Sequence, residues 1–289
     1  MLLNKTFGLI GGDTRQIYLA EKLKSDGNNV LVYGIEKLKH KFPTVQFADL
    51  NALIKESDYI VFPVPATRDG KTVNMPFSDT TINLDDKLVS LLKNKVVFSR
   101  IISSFIEDVN KTSLIVRDYS NCEDFMIQNA IPTVEGAVKI ALNESVKTIY
   151  SSKCLVIGYG RIGKILSRNL KNMGADVTVS ARSIKDITWA KANGLKTINI
   201  SRNSSELHFD LVFNTVPTEI LNFTTLRFLK DINLIIDLAS APGGVDKQFA
   251  EQMGIKVISA LGLPGKYFPK TAGEIIADVL YRIIKEENL

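Results

Sequence analysis

The stretch Cys154-Leu155-Val156-Ile157-Gly158-Tyr159-Gly160-Arg161-Ile162-Gly163 decides how this chain is read. Its first four residues form a short apolar strand that runs straight into Gly158-x-Gly160-x-x-Gly163. Ile162, Ile165, Leu166, Leu170 and Met173 then recur on one helical face, and Gly174 closes the predicted helix. Val177 to Val179 reads as the next strand. Three glycines alone are weak evidence, but between a strand and a helix they have a mechanism. Gly158 permits the tight turn, Gly160 lets a pyrophosphate approach the backbone, and Gly163 lets the helix lie close to the strand. The N–H groups at the helix N-terminus then face an anion. The alternative is a glycine-rich turn with no ligand.

Working outward, the end of the second strand bears on which dinucleotide is expected. An NAD-preferring site places Asp or Glu there to hold the ribose 2′-hydroxyl. This chain has Ser180-Ala181-Arg182-Ser183 instead. An arginine between two hydroxyls suits a 2′-phosphate through charge-assisted, bidentate hydrogen bonds. One such bond is worth about 1.5–3 kcal/mol, a preference of roughly ten- to a hundredfold. NADP is therefore the expected cofactor, with NAD still open, since Arg182 also reads as a solvated loop residue.

Bulk properties narrow the function classes. A chain of 289 residues with 45% hydrophobic and 23% charged residues reads as a soluble protein of one large or two ordinary domains. The net charge of +5 is spread without a basic run or aromatic-interleaved patch, so nucleic-acid binding is not indicated. No apolar run approaches bilayer length, and Met1-Leu2-Leu3-Asn4-Lys5-Thr6 lacks a signal-peptide pattern. Cys122 and Cys154 stand far apart, as in a protein of the reducing cytoplasm. With only His40 and His208 besides them, a metal site or a histidine triad is not expected.

The remainder alternates strands and helices, which argues for two doubly wound, Rossmann-like α/β domains with parallel sheets, joined by interdomain helices. The first half carries strands at Thr6 to Ile10, Val30 to Tyr33, Tyr59 to Val64, Lys95 to Ser99 and Leu114 to Val116. The second half carries them near 154–157, 176–180, 196–198, 210–214, 232–237 and 255–260. Residues 123–147 read as a helix pair broken at Pro132, and a last helix runs from about Gly273 to Glu287. The expected division is 1–130 as a substrate or partner domain, 131–270 as the NADP-binding domain, and 271–289 as a helix returning to the first domain.

Candidate site residues follow from this layout. Ligands bind at the carboxyl edge of an open α/β sheet. Asn214-Thr215-Val216-Pro217 is the expected path of the cofactor ribose or nicotinamide, beside Gly158, Gly160, Arg161, Ile162 and Gly163. Gly262-Leu263-Pro264-Gly265-Lys266 reads as a loop framing Lys266, a candidate carboxylate anchor or an exposed loop lysine. Gly8-x-x-Gly11-Gly12-Asp13 makes a poor pyrophosphate turn. It still opens a helix with free N–H groups and Arg15 nearby, either a second carboxylate anchor or a surface arginine. Glu135, in Thr133-Val134-Glu135-Gly136-Ala137, is a further candidate at an expected domain interface. No residue stands out as the catalytic base, and no metal is expected.

Taken together, Gly11-Gly12-Asp13-x-Arg15, Pro63-Val64-Pro65, Thr133-x-Glu135-Gly136-Ala137, the glycine triplet, Asn214-Thr215-Val216-Pro217, Ala241-Pro242-Gly243-Gly244-Val245-Asp246 and Leu263-Pro264-Gly265-Lys266 with Pro269-Lys270-Thr271-Ala272-Gly273 resemble the dipicolinate synthase A-subunit family of spore-forming bacteria. The resemblance spans nearly the whole chain. It implies an NADP-linked subunit that works in the mother-cell cytoplasm during sporulation, in an oligomeric complex with the flavoprotein-like B-subunit of dipicolinate synthase. The small dicarboxylate substrate is then dihydrodipicolinate or its 4-hydroxy-tetrahydro precursor, oxidised to dipicolinate. The rival readings are a stand-alone NADP-dependent dehydrogenase of a small keto or hydroxy acid, and a non-catalytic NADPH-sensing subunit.

Overall fold

Two six-stranded, all-parallel sheets organise the molecule in a computed structural model that describes residues 4–100 and 113–289. Met1-Leu2-Leu3 of the N-terminal stretch lies outside the described residues. The first sheet contains β1 (Thr6–Ile10), β2 (Asn29–Tyr33), β3 (Gln46–Phe47), β4 (Tyr59–Val61), β5 (Val96–Phe98) and β6 (Ile115–Arg117), in the order β3-β2-β1-β4-β5-β6. In the second half come β7 (Lys153–Ile157), β8 (Asp176–Ser180), β9 (Lys196–Ile198), β10 (Leu207–His208), β11 (Leu211–Asn214), β12 (Leu229–Lys230), β13 (Leu234–Asp237) and β14 (Lys256–Ser259). Their sheet runs β14-β13-β11-β7-β8-β9, and β10 pairs with β12 in a separate two-stranded piece. Both six-stranded orders are those of a doubly wound Rossmann sheet.

Strands covered on both faces must be apolar throughout. The four residues of β11 and of β13 are all buried, as are Cys154 to Ile157 of β7. Burial pushes the Cys154 thiol up to about 12, so this cysteine is a packing residue. The chain divides into two compact units, Met1–Asn129 with Phe268–Leu289, and Ala130–Tyr267.

Three elements differ from their sequence patterns, and each difference involves proline. Residues Glu123–Glu144 form one continuous helix with Pro132 inside it, not a broken pair. Pro132 removes one backbone hydrogen bond. Burial of Val134, Ala137, Ile140 and Ala141 in the second unit's core outweighs that loss. Leu263–Tyr267 is a short helix rather than a loop, with Pro264 in its first turn, where no N–H is required. The last helix, Pro269–Glu287, likewise starts at a proline, four residues before Gly273. Gly273 lies inside it, at the crossing with the helix Thr14–Ser25. A Cβ there would stand 2.7 Å from the Arg15 carbonyl oxygen and 2.8 Å from the Leu19 nitrogen. The strand β4 also ends at Val61, short of the expected Val64: the Phe62 N–H still donates to the Phe98 carbonyl at 2.9 Å, and Pro63 has no N–H with which to continue the ladder.

Candidate functional site

The glycine turn between β7 and the helix Arg161–Asn172 separates into residues the protein itself requires and one that it does not. Gly158 adopts φ +95°, and a Cβ there would lie 2.3 Å from Thr215 Oγ1. The Thr215 hydroxyl donates to the Ile157 carbonyl at 2.8 Å, so the turn after β11 is fastened onto the glycine turn. Gly163 is equally constrained, because its Cβ would meet the Gly158 carbonyl oxygen at 2.2 Å. Gly160 is not: it has φ −77°, outside the left-handed region, and among the described residues nothing beyond its chain neighbours and its own helix lies within 4 Å of where its Cβ would be. Neither backbone geometry nor packing calls for glycine there. As N-cap, Gly160 also supplies no side-chain acceptor to the helix it opens. A bare helix N-terminus beside an open glycine is the arrangement that admits a phosphate to the backbone. Arg161 is exposed at the first helical position, and Ile162 packs partly into the core behind it.

Beyond the turn, the residues expected at the cofactor's phosphate divide. Ser180 is buried, and its Oγ accepts the Ile200 N–H at 3.3 Å. Ser183 caps the helix Ile184–Ala192 by accepting the Asp186 N–H at 3.5 Å. Both hydroxyls therefore hold backbone. Arg182 is exposed and lines a hollow of about 180 Å³ with Ser201, Val216, Thr218, Glu219 and Thr224. The hydroxyls of Ser201, Thr218 and Thr224 give this hollow polar lining that the pattern at 180–183 did not reveal. Glu219 brings an acid to the same place.

On the β11 side, Asn214 is fully buried and is organised by Asp237 at the end of β13. Its Nδ2 donates to Asp237 Oδ1 at 2.8 Å and to the Val216 carbonyl at 3.0 Å, while its Oδ1 accepts the Val216 N–H at 3.2 Å. Asp237 also accepts the Ala239 and Gly244 N–H groups, each at 3.2 Å. A Cβ on Gly244 would stand 2.2 Å from Asn214 Nδ2. One buried carboxylate thus ties the turns after β11 and β13 together, and each donor left without it would cost about 1–3 kcal/mol. Pro217 is exposed at the tip of the first of these turns.

The expected substrate anchors are placed differently from one another. Arg15 belongs to the first unit, with 11% of its side chain exposed. Its Nε and Nη2 reach Asp13 at 2.8 and 2.9 Å, and Nη2 also donates to the Val64 carbonyl. The N–H groups expected to be free there are taken. Gly11 donates to Tyr33 O, Gly12 to Asn74 O, Arg15 to Asp13 Oδ1, and Gln16 to Asp13 O. This turn is closed by its own chain, which explains why it is not a second pyrophosphate site. Lys266 lies in the second unit on the Leu263–Tyr267 helix, exposed, with Nζ 5.1 Å from the Tyr267 ring centroid. Lys139 bears on the same ring at 4.7 Å. Glu135 is exposed beside a hollow of about 460 Å³ with Val138, Leu142, Asn169, Asn172 and Met173. That hollow adjoins the far end of the helix Arg161–Asn172, roughly 14 Å along it from Gly160. The structure does not bring Glu135 to the glycine turn. Among the described residues there is no group of three His, Cys, Asp or Glu that could hold a metal, and no helix long and apolar enough to cross a membrane.

Residues 6–116 match the family model described as the N-terminal domain of the dipicolinate synthase A-subunit, and residues 148–224 match the acetohydroxy acid isomeroreductase NADPH-binding domain. The dipicolinate synthase A-subunit of Bacillus subtilis (strain 168) is 34% identical, over 99% of this chain and 98% of that protein. Crystal structures of the dipicolinate synthase A-subunit from Bacillus subtilis and from Bacillus halodurans both superpose with a TM-score of 0.84, at 33% and 31% identity. They cover 99% and 98% of this chain, and it covers 97% and 99% of theirs. A transhydrogenase from Sinorhizobium meliloti, with a TM-score of 0.70 and 15% identity over 98% of this chain and 93% of that one, shares the fold.

Proposed function

The chain belongs to the dipicolinate synthase A-subunit family, and from that premise we propose that it is the NADP-linked subunit that oxidises dihydrodipicolinate, or its 4-hydroxy-tetrahydro precursor, to dipicolinate. The observation that carries the nucleotide half of this reading is Gly160, a glycine that neither a positive φ nor close packing requires. The residues fit a dinucleotide: the helix N-terminus at Gly160 for the pyrophosphate, Arg182 for the adenosine ribose phosphate, and the Asn214–Pro217 turn for the nicotinamide half. When bound, the nicotinamide supplies a hydride acceptor.

Forming the pyridine ring from a dihydropyridine removes one hydride and one proton, and from the 4-hydroxy-tetrahydro precursor one molecule of water as well; aromaticity supplies the driving force. The protein's task is then to orient the ring and exclude water. Asp237 acts here as a positioning residue, because it fixes Asn214 and the turn that would face the nicotinamide. A dianionic substrate needs cations; Arg15 in the first unit and Lys266 in the second are each a candidate for that role. The exposed Glu135, at its remote hollow, has no part in this account. The flavoprotein-like B-subunit completes the enzyme, in the cytoplasm of the mother cell during sporulation.

Cofactor preference turns on two residues in one hollow. Arg182 favours a 2′-phosphate, whereas Glu219 opposes one and suits a free 2′-hydroxyl. We expect NADP(H) to bind more tightly than NAD(H), with Arg182→Ala lowering NADP affinity about ten- to a hundredfold and leaving NAD unchanged. Calorimetry with both nucleotides on both proteins checks this. Equal affinities in the wild type would remove the preference and turn attention to Glu219.

A further inference from the structure

In the first unit the chain leaves β1 toward β2 and β3 on one side, and continues through β4, β5 and β6 on the other. The crevice between the turns after β1 and β4 is therefore the topological switch point, where open α/β sheets take their ligands. Two side chains from the first turn of the helix Thr14–Ser25 occupy it. Arg15 links Asp13 to the Val64 carbonyl. Gln16 lies against Gly12 and Pro63: a Cβ on Gly12 would stand 2.5 Å from Gln16 Cγ, 3.5 Å from its Cδ and 2.8 Å from Pro63 Cβ.

Gln16 is 2% exposed, and among the described residues neither its Nε2 nor its Oε1 has a hydrogen-bond partner. A buried amide in this state is costly, and a methionine would fill the same volume without the cost. The backbone donors around it are already committed, so the crevice offers a ligand this amide together with the neighbouring guanidinium. The geometry points to Gln16 as a substrate-contacting residue of a small carboxylic acid. Nε2–H donates to a carboxylate oxygen, and Oε1 accepts from a hydroxyl or ring N–H of the same ligand. Three rotatable bonds let the amide turn toward the ligand without moving the helix.

This deepens the proposed function and rests on it for the substrate class. A hydroxylated hydropyridine dicarboxylate offers Gln16 both an acceptor and a donor. The aromatic product keeps only acceptors, so the amide favours substrate over product. The test is Gln16→Met. Thermal melts of the free protein and calorimetric titrations, with NADPH present, compare it with the wild type. The probes are 4-hydroxypyridine-2,6-dicarboxylate, dipicolinate and shikimate.

The expected result is a melting temperature at or above that of the wild type, unchanged NADPH affinity, and at least tenfold weaker binding of the hydroxypyridine diacid. Wild-type binding of shikimate alone, lost in Gln16→Met, would retire the dipicolinate reading while leaving Gln16 as a ligand contact. Three results overturn the inference: equal acid binding by both proteins, no acid bound by the wild type, or a clearly lowered melting temperature in Gln16→Met, which would give the amide a structural role.

Discussion

Gly160→Val should abolish nucleotide binding, a loss of at least about a hundredfold in affinity, while leaving the fold intact. Two observations separate those effects. The backbone at Gly160 sits at φ −77°, outside the left-handed region, and among the described residues nothing beyond its chain neighbours and its own helix lies within 4 Å of where a Cβ would stand. The folded protein should therefore melt close to the wild-type temperature. The same open space lies at the N-terminus of the helix Arg161–Asn172, where the proposed pyrophosphate would touch the backbone. The neighbouring glycines behave oppositely. A side chain at Gly158 or Gly163 collides with Thr215 Oγ1 or with the Gly158 carbonyl, so those substitutions should lower stability first. Calorimetry and thermal melts on Gly160→Val, with Gly158→Ala as the contrast, check the pair. A folded Gly160→Val protein that still binds NADP(H) would place the cofactor elsewhere.

Arg15→Ala should lower turnover efficiency by tens- to thousands-fold when assayed with the partner subunit, and Lys266→Ala by less. Arg15 is largely buried, and Asp13 holds the Nε–Nη2 edge of its guanidinium. Asp13 and the Val64 carbonyl take both Nη2 hydrogens and fix the guanidinium, so a substrate carboxylate would meet Nη1 in a set direction. Losing a desolvated charged contact of that kind costs on the order of 2–5 kcal/mol. Lys266 is an exposed point charge beside Tyr267, held by nothing more directional than a ring face at 5.1 Å. Steady-state kinetics of the two variants decide the order. Near-normal activity in both, with NADP affinity unchanged, would rule the two residues out as anchors.

Much of the architecture was legible because it depends on local pattern. The glycine triplet between an apolar strand and an amphipathic helix located the second sheet, and the apolar runs of β11 and β13 marked strands buried on both faces. Tertiary context decided the rest. Pro132 reads as a break, yet packing on both sides of it keeps one helix. Pro264 and Pro269 read as loop residues, yet each stands in a first helical turn. The two-residue strands β3, β10 and β12 are too short to carry a period.

Within the candidate site, residue type made Arg182 a candidate, but did not reveal that the Ser180 and Ser183 hydroxyls would be taken up by backbone N–H groups. Gln16 was missed because a glutamine near a helix start reads as solvent-facing. The signal was its spacing, since it shares the buried face of Ala20 and Leu23.

The most direct test of the account is reconstitution. The purified chain, the proposed flavoprotein-like partner, the product of dihydrodipicolinate synthase and NADP are mixed, and the pyridine product is followed by absorbance. The account predicts dipicolinate formation that requires this chain, consumes NADP in step with product, and disappears with Gly160→Val. Product formed at the same rate without the chain, or no product with either NADP or NAD when both proteins are present, would contradict it.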